Sequence, residues 1–167
     1  MQRALGSSGL RRMIRLRSFQ KGDLAHLHQL DRICFPPGIS YSMAELKYFL
    51  VSRRCSCWIA EDTAEDPKLK LKGFIIVERL RRAVEMRGHI VTIDVCPRTR
   101  RHGVGKLLIQ AAEEQMKREG ANLLTLEVAV DNGVARAFYF RMGFSRIGRI
   151  PDYYPGKLDA DVMAKVI

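Results

Sequence analysis

The chain has 167 residues, 47% of them hydrophobic and 28% charged. These are the proportions of one globular unit, not of a disordered chain. Lys and Arg number 29 against 18 Asp and Glu, a net charge of +11 that favours anionic ligands, from phosphorylated cofactors to nucleic acid, without choosing among them. A chain this long buries roughly 70% of the surface its unfolded form exposes, so it needs no disulfide or metal staple. No apolar run reaches the ~18 residues of a membrane span and the N-terminus lacks a secretory apolar segment, so a cytoplasmic protein with no membrane partner is expected.

Met1 to Arg12 is small, polar and basic around Gly6-Ser7-Ser8-Gly9, and reads as a flexible extension, residues 1–12, before a single domain at 13–167. Its arginines and lack of acidic residues also fit a short transit peptide. Ile14 to Arg17 alternates like a first strand, and Asp23 stands where it could cap a helix through Leu24, Leu27, Leu30 and Ile33. Pro36-Pro37-Gly38 ends that helix. Ser42-Met43-Ala44-Glu45 is a capping-box pattern that opens a second helix to about Val51.

Three strands are predicted next: Cys57 to Glu61, Leu71 to Glu78 and His89 to Val95, with a charged loop from Asp62 to Lys70 and a basic turn around Arg81, Arg82 and Arg87. Val104, Leu107, Leu108, Ala111, Ala112 and Met116 mark one face of an amphipathic helix that stops at Gly120. A strand over Leu123–Val130, a helix over Gly133–Met142 and strands near Phe144–Ile150 and Ala160–Val166 complete a mixed α/β layer. The four cysteines, Cys34, Cys55, Cys57 and Cys96, contain no C-x-x-C pair and complete no zinc spacing with the four histidines. Reduced structural thiols and no metal are expected, with Cys55 and Cys57 sharing one strand face.

Arg100-Arg101-His102-Gly103-Val104-Gly105 lies between a strand and the most periodic helix. Glycines admit the close approach of a phosphate, and the free N–H groups at a helix start attract anions. Arg98, Arg100, Arg101 and Lys106 add positive charge. An ordinary strand-to-helix turn is the bland alternative. A nucleotide P-loop fails because the two glycines are only two apart and Leu107 occupies the hydroxyl position. A dinucleotide fingerprint fails because its third glycine would be Leu108.

Arg100-x-x-Gly103-x-Gly105 resembles the Q/R-x-x-G-x-G/A signature of the GNAT N-acetyltransferases, and the resemblance runs from Met13 to Ile167. The chain is most like the RimI-type ribosomal-protein alanine N-acetyltransferases and their archaeal and eukaryotic N-terminal acetyltransferase relatives, through Phe35-Pro36, Leu126-Glu127-Val128, Asn132, Ala137-Phe138-Tyr139, Met142-Gly143-Phe144 and Tyr153-Tyr154-Pro155. The resemblance implies a GNAT fold, a mixed and mostly antiparallel central sheet of about seven strands flanked by about four helices. It implies acetyl-coenzyme A as cosubstrate, held by the loop Arg100, Arg101, His102, Gly103, Val104, Gly105 and Lys106, by main-chain groups of Ile93, Asp94 and Val95, and by Asn132.

Glu127 stands opposite the apolar face made by Leu124, Leu126, Val128 and Val130, and a glutamate in a central strand is unusual. It could simply pair with an arginine. The resemblance makes it the base that takes the amine proton, and makes Tyr139 the acid for the departing sulfur, although Tyr139 would otherwise read as a core aromatic. Asn132 could equally be a helix cap. Phe35, Pro36, Tyr41, Tyr153 and Tyr154 resemble walls of a peptide groove, with plain packing as the alternative. Cys96 stands where close relatives carry an acidic residue, and Gly133 and Phe140 are atypical for the helix bearing Tyr139.

The acceptor implied is a protein or peptide α-amino group, with a ribosomal-protein alanine as the specific expectation. The alternatives are a lysine or small-molecule amine on the same fold, or a basic nucleic-acid module. Direct nucleic-acid binding is not expected, because the arginines form no stripe interleaved with aromatics. A monomer or weak dimer is expected.

Overall fold

The computed structural model describes residues 14–65 and 70–167. The expected extension at 1–12, Met13 and the middle of the Asp62–Lys70 loop lie outside the described residues. In chain order the elements are β1 (Ile14–Ser18), α1 (Leu24–Cys34), α2 (Met43–Val51), β2 (Cys55–Asp62), β3 (Leu71–Arg82), β4 (Glu85–Val95), α3 (Val104–Arg118), β5 (Leu123–Ala129), α4 (Gly133–Arg141), β6 (Ser145–Tyr154) and β7 (Leu158–Val166). Single 3-10 turns at Lys21–Asp23 and Pro97–Thr99 precede α1 and the glycine loop. The four helices and seven strands match the expected fold class.

The strands form one sheet in the order β1-β2-β3-β4-β5-β7-β6. Every neighbouring pair is antiparallel except β4 and β5. Those two are parallel and pair only at Gly88 opposite Leu124 and His89 opposite Thr125. Beyond that point β4 continues against β3 and β5 continues against β7, but not against each other. The sheet therefore opens at its centre.

Two cores pack on the two faces. On one, α3 buries Val104, Leu108, Ile109, Ala112 and Met116 against Ile75, Val77, Leu124 and Leu126. On the other, Leu27, Leu30 and Leu46 from α1 and α2 cover Ile59, Phe74 and Ile76. Each such aliphatic or aromatic side chain contributes about 1.5–3 kcal/mol when fully buried. All four cysteines are free thiols at the edge of the second core, and Cys55 and Cys57 do share its face.

The capping box of α2 forms as its sequence dictates: Glu45 N donates to Ser42 Oγ at 3.2 Å, and Ser42 N to Glu45 Oε2 at 2.8 Å. Asp23 sits at the α1 N-cap but makes no side-chain cap. Its carboxylate instead takes Arg17 at 2.7 and 2.8 Å, the stronger charge-assisted partner.

The expected basic turn is corrected. Arg81, Arg82 and Arg87 lie within strands, since β3 and β4 stay paired out to Arg82 opposite Glu85, and Ala83 and Val84 make the turn. A projecting two-stranded ribbon is held by backbone pairing, so the hydrophobic pattern ends before the strands do. For the same reason β6 runs past Ile150 to Tyr154, through an irregularity where Asp152 has φ 51°.

Candidate active site

The glycine loop closes onto the first turn of α3. Gly103, at φ 85° and ψ 1°, is the N-cap residue in the left-handed region, where a Cβ is strained. No side chain caps this helix end and no acidic residue occupies its first turn. The first N–H groups of α3 thus lack intrahelical partners, with exposed Arg98, Arg101 and Lys106 close by in the chain. Arg100 contributes differently: its Nε donates to the Val95 carbonyl at 3.1 Å and pins the loop to the end of β4. His102 Nδ1 lies 2.8 Å from the Arg100 carbonyl. At Gly105 an added Cβ would stand 3.0 Å from Phe138 Cζ, so the loop packs directly on the helix that carries Tyr139.

Cys96 N donates to the Lys72 carbonyl at 2.8 Å, which by strand alternation turns the main chain of Asp94 toward β3 as well. The main-chain groups of Ile93 and Val95 face the opposite way, into the opening. Asp94 differs from these two neighbours. Its side chain is fully buried toward α1, where Thr92 Oγ1 donates to its Oδ1 at 2.7 Å.

Glu127 projects from β5 on the α1/α2 side of the sheet, opposite Leu126 and Val128, which lie in the α3 core. His89, the last β4 residue paired with β5, stands beside it. His89 Nε2 is 3.2 Å from Glu127 Oε2, and His89 Nδ1 is 3.1 Å from Thr125 Oγ1. Glu127 therefore pairs with a histidine, not with an arginine. Both side chains remain partly open, at 22% and 18% exposure.

Two tyrosines lie near Glu127 and a third lies near those two. Tyr153 is raised by burial and by the nearby Glu127 carboxylate, while burial, with Tyr153 and Glu127 nearby, pushes Tyr154 up to about 12. Their rings meet edge to face with centroids 4.8 Å apart. Tyr41 Oη donates to the Val91 carbonyl at 3.3 Å, and burial raises its phenol. The α1–α2 loop bearing Phe35, Pro36 and Tyr41 approaches the turn after β6, since a Cβ on Gly38 would stand 3.4 Å from Pro155 Cγ. Phe35 is half-buried and Pro36 exposed. The expected groove residues are thus brought together.

Tyr139 sits on the other face, its ring buried against Phe138 and Phe144 with centroids 5.4 and 5.8 Å away. Burial first, then Tyr154 and Asp94, raises its phenol above the ordinary tyrosine value. Its packing is that of a core aromatic. Asn132 is the N-cap of α4, its Oδ1 accepting from Ala135 N at 3.1 Å, so the capping reading holds. Among the described residues, no group of three or more His, Cys, Asp or Glu side chains could hold a metal ion.

His89 carried no expectation from the sequence. Strand alternation alone places it on a face. Its partnership with Glu127 depends on the two-residue parallel register, which no local signal encodes.

The opened centre of the sheet thus has a glycine-capped helix start and a carboxylate–imidazole pair close to it. Residues 24–144 match the model of the acetyltransferase (GNAT) family, and the chain belongs to that family. N-alpha-acetyltransferase 30 of Schizosaccharomyces pombe is 36% identical over 89 residues, which cover 53% of this chain and 59% of that protein. The N-alpha-acetyltransferase of Sulfurisphaera tokodaii is 29% identical over 160 residues, covering 90% and 91%. Among solved structures, a chain of the NatC complex bound to Gag peptide and CoA aligns with a TM-score of 0.82 at 27% identity, over 92% of this chain and 98% of that one.

Proposed function

We propose that this acetyltransferase moves the acetyl group of acetyl-coenzyme A to the free α-amino group of a protein or peptide, in the manner of the RimI-like branch. A small first residue such as the alanine of a ribosomal protein is the favoured acceptor. The observation that carries the reading is the placement of Glu127 with His89 on one face of the opened sheet and of Tyr139 on the other.

The donor fits the residues present. Arg101, His102, Gly103, Val104, Gly105 and Lys106 offer backbone N–H groups and charge suited to a pyrophosphate, and Ile93 turns its main-chain N–H and carbonyl, and Val95 its N–H, into the opening. Asn132, already a helix cap, borders the same side. When bound, acetyl-coenzyme A supplies an acetyl group activated as a thioester.

The chain's own residues manage the protons. Glu127 accepts the proton of the incoming ammonium, and His89 holds the carboxylate in place with Nε2 toward it and Nδ1 toward Thr125. An α-amine, with a pKa near 8, needs less help than a lysine near 10.4, which suits one carboxylate–imidazole pair. Tyr139, protonated at neutral pH as any phenol is, is the donor on the leaving side. Tyr41, Tyr153 and Tyr154 border the acceptor side with hydroxyls suited to peptide groups, and Phe35 and Pro36 narrow the space for the first side chain.

Tyrosines on both walls favour a peptide over a small-molecule amine. The basic hairpin is a weaker basis for nucleic-acid binding: Arg79 pairs with Glu119 at 3.2 Å, and no aromatic side chains interleave with Arg81, Arg82 and Arg87 along it. Among the described residues no helix is long and apolar enough to cross a membrane. We take the enzyme to act in the cytoplasm as a monomer or weak dimer, with its charge drawing it toward RNA-rich particles at low salt. In a turnover assay, an Ala-starting peptide should be acetylated and its N-terminally blocked, lysine-containing counterpart should not. Acetylation of the blocked peptide alone would refute the acceptor.

A further inference from the structure

Asp31 on α1 and Asp94 on β4 are both fully buried, and the catalytic reading uses neither side chain. Each has one satisfied oxygen. Asp31 Oδ2 accepts from Tyr41 N at 2.7 Å, and Asp94 Oδ1 accepts from Thr92 Oγ1 at 2.7 Å. Each also has one oxygen, Asp31 Oδ1 and Asp94 Oδ2, that is buried with no hydrogen-bond partner. The two carboxyls are near enough that each acts on the other's proton affinity. Among the described residues no Lys, Arg or His forms an ion pair with either.

A carboxylate only accepts hydrogen bonds, so two ionised ones cannot bond to each other. One proton resolves the site, because a single O–H···O⁻ bond satisfies both orphaned oxygens at once. We propose that Asp31 and Asp94 share one proton, and that this bridge positions the Phe35–Tyr41 wall of the acceptor groove against β4. The proposal rests on the acceptor reading above for its functional part, and on burial and orphaned oxygens for the bridge itself. Asp31 grips the loop at Tyr41 N, while Tyr41 Oη reaches Val91 on β4. The loop is thus tied to β4 twice, once directly and once through the proton.

The groups that face the pair have opposing effects. Burial dominates and raises both carboxyls; His28 from α1 and Arg100 from the glycine loop oppose it, and Glu45 from α2 reinforces it. Cys34 of α1, Cys57 of β2 and Tyr139 of α4 sense Asp94, and Tyr41 senses Asp31, so a second negative charge there would be felt in both cores. As pH rises and the proton is lost, two buried carboxylates repel across the α1–β4 contact and the wall loosens.

Two measurements test this. The infrared spectrum of the full chain at neutral pH should contain a buried carboxylic-acid carbonyl band, absent from Asp94→Asn; a spectrum without it would overturn the shared proton. In the second, acceptor-peptide KM is followed from about pH 7 to pH 10. The amide introduced by Asp94→Asn can donate to Asp31 at any pH, so this variant should show a flatter profile. The ratio of wild-type to variant KM should climb, by at most about tenfold per pH unit once the proton is lost, with the KM for acetyl-coenzyme A unchanged. Parallel KM profiles in the two proteins, or equal shifts in both substrates' KM, would overturn the positioning role. The infrared band does not depend on turnover, so failure of the acceptor reading and failure of the bridge remain separable.

Discussion

Replacing Gly103 by alanine probes the loop that the donor needs, and the fold contains its own control. Gly103 and Gly120 flank opposite ends of α3 and share φ 85°. A Cβ in this left-handed region costs roughly 1–2 kcal/mol at either position. At Gly120 an added Cβ meets nothing within 4 Å, so strain is its whole effect. For a chain of this size each kcal/mol lowers Tm by about 2–4 °C, so both variants should melt roughly 2–8 °C lower. Only Gly103→Ala should also disturb the N–H groups at the start of α3. One hydrogen bond to a charged group is worth about 1.5–3 kcal/mol, so losing one weakens binding roughly 10- to 100-fold. Calorimetric titration of acetyl-coenzyme A into each folded variant reads this directly. Wild-type affinity in Gly103→Ala, or an equal loss in Gly120→Ala, would refute the reasoning.

Three further outcomes follow from named contacts. Glu127→Gln should lower turnover by about 10²–10⁴-fold, most severely at low pH where the amine arrives protonated, and an unchanged pH–rate profile would remove Glu127 from the proton path. Tyr139→Phe keeps the ring packed on Phe144 but removes the hydroxyl, so kcat should fall while calorimetric coenzyme affinity stays level; an affinity loss matching the kcat loss would make Tyr139 a packing residue only. Burial alone would raise Glu61, but hydrogen bonds from Arg17, Arg15 and Lys70 outweigh it and hold the carboxyl at about 2. Its contribution is therefore present above the unfolded value near 4.5 and is lost as pH falls toward 2, so wild-type Tm should drop over that window more steeply than that of Glu61→Gln, and parallel melting curves would count against it.

Much of this arrangement is legible in the chain. The 3.6-residue spacing from Val104 to Met116, the Ser42–Glu45 box and the alternation that isolates Glu127 are local patterns, and each forms the structure it encodes. The glycine loop is legible because a left-handed N-cap residue such as Gly103 calls for glycine, a local requirement. His89 and the Asp31–Asp94 pair are different. His89 meets Glu127 only because β4 and β5 pair for two residues and then part. Asp94 turns toward α1 because the β3–β4 register shifts between Ile76 and Val77, leaving Val91 as an extra residue and resetting which face later β4 residues occupy. Such facts belong to long-range pairing, which periodicity cannot register. Asn132 shows the converse, since its cap is local and readable.

Whether the acceptor is an α-amine is decided by mass spectrometry of the product from one peptide carrying both a free alanine N-terminus and an internal lysine. A single acetyl group on the N-terminal nitrogen is expected. Acetylation of the lysine with the N-terminus untouched would leave the fold and family standing and contradict the assigned acceptor.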